Sequence, residues 1–380
     1  MKKIIALMLA LVTIFSLFSC SYNKATEYPA VESTEEEART VMTLSIDGNT
    51  YDVRYELYRA FFLTYKSDVD GGDESVWSGD SKNEYISKID EMIIDRVVEI
   101  YSAFAVSERI GFDPYSKYVE KKIKENIRIS VEGGSYGSTT LEGYESYDEY
   151  LAALKSLNLN YSVQVLLLRY AIAIDAIDTH YIGTASSDDI DVNVSIGAIE
   201  YTKDDVREFY FSDDCVRVLR ANFQKGISSN PQEKAEKLRN KMEEAAATPG
   251  SLKEKEDAVF RAIVSNGLYS NTAEIKNGYV IGKYNLERSY YGNMTDAALS
   301  LAEGEVSQPI DVVSDVEDSY YILYRSYKSD ELFEANYEDI KYVYLMNYVG
   351  EITHGVASEL KKSVTYTDVM TTLDHSAIGM

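Results

Sequence analysis

Few side chains in this 380-residue chain are of the kinds that make or break bonds, and their spacing narrows the chemistry further. The three histidines, His180, His354 and His375, form no HxxxH or HxH pair. The two cysteines, Cys20 and Cys215, give neither a metal spacing nor a disulfide framework. A zinc centre and a histidine-based triad hydrolase are therefore disfavoured. Asp68, Asp70, Asp73 and Glu74 crowd one stretch, yet they do not keep the ligand order of a calcium loop and no Glu stands at its closing position. Residues 67–82 read as a solvated loop, and neither a metal nor a cofactor is expected.

Cys20 is the exception, because its surroundings assign it a chemistry. Lys2-Lys3 precede an uninterrupted apolar run from Ile4 to Phe18, too short to span a bilayer comfortably, which ends at Leu17-Phe18-Ser19-Cys20. A small residue before a cysteine at the end of such a run looks like the cleavage site of a bacterial lipoprotein. Residues 1–19 are then a signal peptide, and Cys20 carries the lipid as the mature N-terminus. A diacylglyceryl thiol supplies the two acyl chains that stable anchoring needs. The expected location is the outer face of the bacterial cell membrane. The plain alternative is a secretory leader with a chance cysteine.

The formal net charge is −25, and loss of residues 1–19 removes Lys2 and Lys3 with them. Such acidity argues against a nucleic-acid partner and against adsorption of the protein body to an anionic bilayer. It serves solubility, or a surface suited to basic client chains. Tyrosine is abundant at 33 residues and spread along the chain, which suits half-buried helix faces and adaptable polypeptide contacts alike.

A chain of this length needs more than one core. Residues 20–40 are polar and acidic and read as a tether. Val41–Ile46, the turn Asp47-Gly48-Asn49 and Tyr51–Val53 predict a hairpin, followed by a helix with Tyr55, Leu57, Tyr58, Phe61, Phe62 and Tyr65 on one side. Further helices are expected over residues 83–110, from Asp113-Pro114 to about 130, from a Ser146 cap to Leu157, and from Tyr161 to about Tyr181. The last is apolar over much of its surface and is the expected core helix, with Arg169 and Asp175 speaking against a membrane span. A Gly/Ser/Thr-rich loop is expected over residues 133–143. Thr202 with Asp205 predicts a capped helix over residues 202–210. Beyond Cys215 the pattern changes to a strand through Phe223, a helix opened by Asn230-Pro231, a short helix over residues 258–265, a strand near Ile281 and a last strand over residues 320–325. Residues 331–362 read as one helix weakened by Gly350 and Gly355, residues 363–367 as a short strand, and the tail from Asp374 as loose.

The run Ala297-Ala298-Leu299-Ser300-Leu301-Ala302-Glu303-Gly304-Glu305-Val306-Ser307-Gln308-Pro309 reads as a helix end, a glycine stop and entry to an edge strand. It resembles the signature of parvulin-type peptidyl-prolyl isomerases, and the strand–turn–strand–helix opening behind the leader resembles extracytoplasmic foldases of the SurA/PrsA kind. The resemblance implies an α+β fold. A mostly helical N-terminal chaperone domain (residues 41–213) would be completed by a C-terminal helix and strand (residues 330–380). A parvulin-like domain of antiparallel sheet plus helices (residues 214–329) would be inserted between them. It also implies site positions. The family's ring of polar groups, a histidine on the first strand, a Cys or Asp after the second helix and a histidine on the final strand, falls on Arg220, Thr272 (or Asn271) and Tyr321. Its proline pocket, Leu, Met and Phe, falls on Ile281, Tyr290 and Met294. Both histidines are thus replaced, and Arg220 cannot imitate a neutral imidazole. The function implied is a membrane-anchored folding factor that binds unfolded or nascent exported polypeptides. The alternatives are an active peptidyl-prolyl cis-trans isomerase of the same architecture and a surface-binding lipoprotein that is not a chaperone.

Overall fold

The computed structural model describes residues 27–70, 73–78, 81–136, 139–183, 199–266, 272–284, 288–313, 318–375 and 378. They divide into two compact units. One is the described part of Gly197–Glu351, and the other takes the described residues before it together with those from Ile352 onward. The second unit is therefore discontinuous in sequence and the first is not.

The discontinuous unit opens with β1 (Thr40–Ile46) and β2 (Asn49–Arg54), paired antiparallel in the register Ile46↔Asn49. The two-residue turn between them needs positive φ at both positions, and Asp47 (φ 53°) with Gly48 (φ 80°) provides it. The chain passes directly into α1 (Tyr55–Asp70), and a 3₁₀ turn over Glu74–Ser78 occupies part of the segment expected to be loop. Next come α2 (Lys82–Arg109) and α3 (Lys117–Glu132). The latter starts later than Asp113-Pro114, because Ser116 is the residue whose side chain caps it, accepting from the Val119 amide. The expected loop at residues 133–143 holds a small hairpin, β3 (Gly134–Tyr136) and β4 (Thr139–Leu141). Then follow α4 (Tyr147–Ser156), capped by Ser146 as predicted, and α5 (Tyr161–Ile182). The unit's core is Ile89, Ile93, Val97, Ile100 and Phe104 of α2 and Val163, Leu168, Ala173 and Ile177 of α5, all buried. Arg169 does not break that core. Its guanidinium bonds the Glu120 carboxylate at 2.6 Å and the Pro114 carbonyl, and it lies 4.5 Å from the centre of the Tyr115 ring. No single helix among the described residues is long and apolar enough to cross a membrane.

The continuous unit begins with α6 (Lys203–Phe211), whose Thr202–Asp205 capping box is present as read from the sequence. It continues through β5 (Cys215–Gln224), α7 (Pro231–Ala246) and α8 (Leu252–Val264). Helix α8 begins six residues before its predicted start, at a second capping box, Ser251 with Glu254. After it come α9 (Thr272–Asn277), β6 (Tyr279–Gly282), α10 (Arg288–Ser300), β7 (Ile310–Val313) and β8 (Asp318–Ser326). The four strands form one antiparallel sheet in the order β6-β5-β8-β7. The closing segment divides at Asn336 into α11 (Asp330–Ala335) and α12 (Tyr337–Lys362). Helix α12 runs through Gly350, where the glycine has a packing reason. A Cβ at that position would sit 1.4 Å from the Tyr284 carbonyl oxygen, so the glycine permits backbone contact between helix and chain after β6. The side-chain carbonyl of Asn347 accepts from the Tyr284 amide at 2.8 Å alongside it.

The chain then returns to the discontinuous unit with β9 (Thr365–Tyr366) and α13 (Asp368–Thr371). Strand β9 pairs with β1 through Met42↔Tyr366 and Thr43↔Thr365, giving the order β2-β1-β9. The tail is not loose where it is described. His375 bonds the Tyr58 hydroxyl at 2.9 Å, Tyr58 in turn bonds Asp90, and Ile378 is buried. The architecture is α+β, mostly helical with antiparallel sheets, as expected from the sequence.

Helix α5 carries a titration consequence. Burial pushes the Asp175 and Asp178 carboxyls up to about 7, Asp178 also through the neighbouring Asp175 charge, while Lys122 opposes the shift at Asp175. Among the described residues Asp178 Oδ1 is buried with no hydrogen-bond partner. The folded chain therefore holds these protons to higher pH than the unfolded chain, and the stability they confer is full below about pH 4 and lost as pH rises through about 7. Urea midpoints followed by circular dichroism are expected to fall across that interval. Asp178→Asn is expected to flatten the fall and to raise stability at pH 8 by about 1 kcal/mol.

Candidate functional site

The two faces of the β6-β5-β8-β7 sheet are built differently. Leu219, Ala221 and Phe223 of β5, with Ile322 and Tyr324 of β8, pack on Ala235, Leu238 and Met242 of α7, Val259 and Ile263 of α8 and Ile275 of α9. Val216 and Val218 point the other way, with Ile281, Val312, Tyr321 and Leu323, and meet Met294 and Ala298 of α10 and Leu301 just after it. Arg220 and Asn222 are in phase with Val216 and Val218, because side chains alternate along a strand. Direct strand pairing confirms the grouping, since Val216 faces Ile281, Arg220 faces Leu323 and Asn222 faces Tyr321.

What fixes β5 under this face is Arg217. Its buried guanidinium makes a two-bond fork to Glu256 of α8, with both N–H···O distances 2.9 Å. Its other donors reach the carbonyls of Asn277 (2.8 Å), Lys276 (3.2 Å) and Tyr327 (3.3 Å). One side chain thereby ties β5 to α8, to the end of α9 and to the chain leaving β8. The sequence signal was thin: an arginine inside an apolar strand and a glutamate on a separate helix, 39 positions apart.

The run Ala297–Pro309 lies along β8. Helix α10 ends at Ser300, four residues before Gly304, so the glycine is not the helix stop that the sequence suggested. Arg325 takes that role, donating from Nη1 to the carbonyls of Leu299 (3.2 Å) and Leu301 (2.6 Å). Gly304 (φ 84°) instead shapes the turn closed by Glu305 N–H to Ala302 O at 3.0 Å. Ser307 pairs twice with Leu323, its amide donating to the carbonyl (2.8 Å) and its hydroxyl accepting from the amide (2.9 Å). Pro309 directly precedes β7, the edge strand, where its missing N–H costs nothing.

Of the predicted site residues, Arg220, Tyr321, Ile281 and Met294 come together on the α10 side of the sheet. Ile281, Met294 and Tyr321 are buried and Arg220 is half-buried. The Arg220 guanidinium lies over the Tyr279 ring, 3.6 Å from its centroid, and 5.9 Å from that of Tyr321. Tyr279 was not singled out from the sequence. Its place opposite Val218 in the β5–β6 register brings it under Arg220, and register is not readable before pairing is known. Thr272 opens α9, a helix that turns Ile275 to the opposite face, and Tyr290 lies in α10. The side chains of Thr272 and Tyr290 are outside the described residues, as is Asn271. Cys20 lies outside them altogether.

No histidine belongs to this unit, since His180, His354 and His375 all fall in the other. Cys215 is fully buried, and burial pushes its thiol up to about 12, which removes it as a nucleophile at neutral pH. The α10 side of the sheet thus holds a buried apolar cluster that includes Tyr321, with the half-buried Arg220 and Tyr279 beside it. Among the described residues, no group of histidine, cysteine and carboxylate side chains is arranged to hold a metal ion.

No known family profile matches the sequence, and no curated protein does. Among the solved structures similar to it are three of foldase protein PrsA. That from Lactococcus lactis is 17% identical over 87% of this chain and 95% of its own, with a TM-score of 0.23. That from Streptococcus pneumoniae is 14% identical over 86% and 96%, with a TM-score of 0.27. That from Bacillus subtilis is 13% identical over 74% and 87%, with a TM-score of 0.22. At these scores function has to be read from the chain's own residues.

The Arg217–Glu256 fork yields a direct stability test. Glu256→Gln leaves the buried guanidinium without a counter-charge and is expected to destabilise the fold by about 3–5 kcal/mol. The double change Arg217→Met with Glu256→Leu, which removes both charges, is expected to cost less. Urea unfolding of the two variants and the parent decides it.

Proposed function

We propose that this chain is an exported folding factor, tethered to the outer face of the membrane through a lipid on Cys20, that captures unfolded polypeptides without efficient prolyl isomerisation. The observation that carries this reading is the composition of one sheet face. Ile281 and Met294 occupy apolar pocket positions, while Arg220 and Tyr321 stand where the resemblance places two histidines.

Rotation about an X-Pro bond has a barrier of roughly 20 kcal/mol because resonance holds the amide planar. A catalyst lowers it only by binding the twisted amide better than the planar one. An apolar floor holds a proline ring in every state alike and so gives affinity without rate. The discriminating part is the polar ring around the carbonyl. Here that ring has exchanged two imidazoles, each able to donate and accept, for a permanent cation and a phenol. Binding is retained and the differential is lost. The acidic surface outside the face keeps the protein soluble while it holds apolar segments. Residues 27–40 are not the free tether expected from their composition, since Tyr28 stacks on Tyr147 and the Pro29 carbonyl accepts from the Tyr147 hydroxyl at 2.7 Å.

Two assays on one preparation test the proposal. The protein is expected to suppress aggregation of a denatured client diluted from guanidinium chloride, and to leave the slow phase of a proline-limited refolding reaction unchanged. Acceleration of that phase, lost on Met294→Ala, establishes an active isomerase instead. Absence of both effects leaves a surface-binding lipoprotein as the better account.

A further inference from the structure

Several cations of the continuous unit are paired with carboxylates. Arg207 pairs with Asp330, Arg217 with Glu256, Arg239 with Glu243, and Lys225 with both Asp311 and Asp318. Arg220 differs. It is half-buried on the α10 side of the sheet, and among the described residues it makes no hydrogen bond and no ion pair; its contacts are the faces of Tyr279 and Tyr321.

A guanidinium taken partly out of water without acceptors carries a desolvation cost that ring contacts offset only in part. The same contacts hold its plane. Its N–H donors are therefore presented as a fixed fork, the geometry that two carboxylate oxygens match with parallel bonds. Beside that fork the half-buried Tyr279 ring is the apolar neighbour in reach, while Ile281 and Met294 lie buried in the core next to it.

We propose that Arg220 selects, among the polypeptides that reach this face, those bringing a carboxylate next to an apolar residue. The carboxylate is an acidic side chain or the C-terminal group. This rests on the reading of the face as a polypeptide site. It is compatible with the acidity of the whole chain, since the long-range field is screened beyond about 10 Å at 0.1 M salt. A client that is basic overall satisfies both requirements when it carries one acidic group into the site.

The test is calorimetric titration of the full chain with three peptides: acetyl-Ala-Glu-Pro-Phe-amide, acetyl-Ala-Gln-Pro-Phe-amide, and acetyl-Ala-Gln-Pro-Phe with a free C-terminal carboxylate. One or both of the carboxylate-bearing peptides is expected to bind about tenfold more tightly than the capped glutamine peptide. Which one does so identifies the source of the carboxylate. The preference is expected to shrink in 0.5 M salt as an arm of the same experiment (~0.5 M being well past full screening of exposed pairs). It is expected to vanish in Arg220→Gln, while Arg220→Lys, which keeps the charge and loses the fork, retains part of it and serves if the glutamine variant does not fold. Equal affinity for all three peptides overturns the selectivity and leaves the polypeptide site standing. A preference that survives both substitutions overturns the assignment to Arg220. No binding by any peptide overturns the site itself and the selectivity with it.

Discussion

A guanidinium can be buried only if every donor finds an acceptor and its charge finds a counter-charge, and Arg217 meets both conditions with partners from three other parts of the chain. That requirement constrains everything around it. Helix α8 must bring Glu256 to the sheet, α9 must end where the carbonyls of Lys276 and Asn277 face inward, and the chain after β8 must pass Tyr327 across the same side chain. With β5 pinned on the helix side, the opposite phase of the strand is committed as well. Val216, Val218, Arg220 and Asn222 have no freedom to exchange faces with their neighbours, because a one-residue slip would carry Arg217 away from all of its acceptors.

Patterns local in sequence were legible. The Asp-Gly hairpin, the capped starts at Ser146 and Thr202, the proline start of α7 and the apolar run of α5 all follow from side chains within a few positions of one another. What escaped depended on distant partners or on competing cues. Helix α8 was placed late because its first turns are charged, and the capping box at Ser251 was the overlooked sign. The hairpin β3–β4 lay hidden in a stretch whose glycines and serines read as loop. From local sequence Gly350 reads only as a helix weakness, whereas the carbonyl of Tyr284, 66 positions away, is what requires it. For the site, Arg220, Ile281, Met294 and Tyr321 were all within reach of sequence reasoning, whereas the ring beneath Arg220 was not. Tyr279 reaches it only through strand pairing.

The Ala297–Pro309 run fixes an architecture rather than a chemistry. Its bonds to β8 are mostly backbone bonds, reinforced by Ser307 and by Arg325 at the end of α10. They set where α10 lies against the sheet whatever stands on the face between them. Positions such as 220 and 321 point into that space and can change type without disturbing those bonds. Geometry and chemistry are encoded by different residues, and the two can diverge.

The pairing of β9 with β1, and the bond from His375 to Tyr58, have a consequence for the order in which the molecule is made. A chain emerging from its N-terminus presents Tyr58 of α1 317 residues before its partner His375 exists, and larger proteins commonly pass through partly folded states as they are completed. The continuous unit, drawn from a single uninterrupted stretch, has all its own strands in hand before that point. The helical unit is thus begun first and closed last, and until the final segment arrives, the third place in its small sheet is an open strand edge beside Met42 and Thr43.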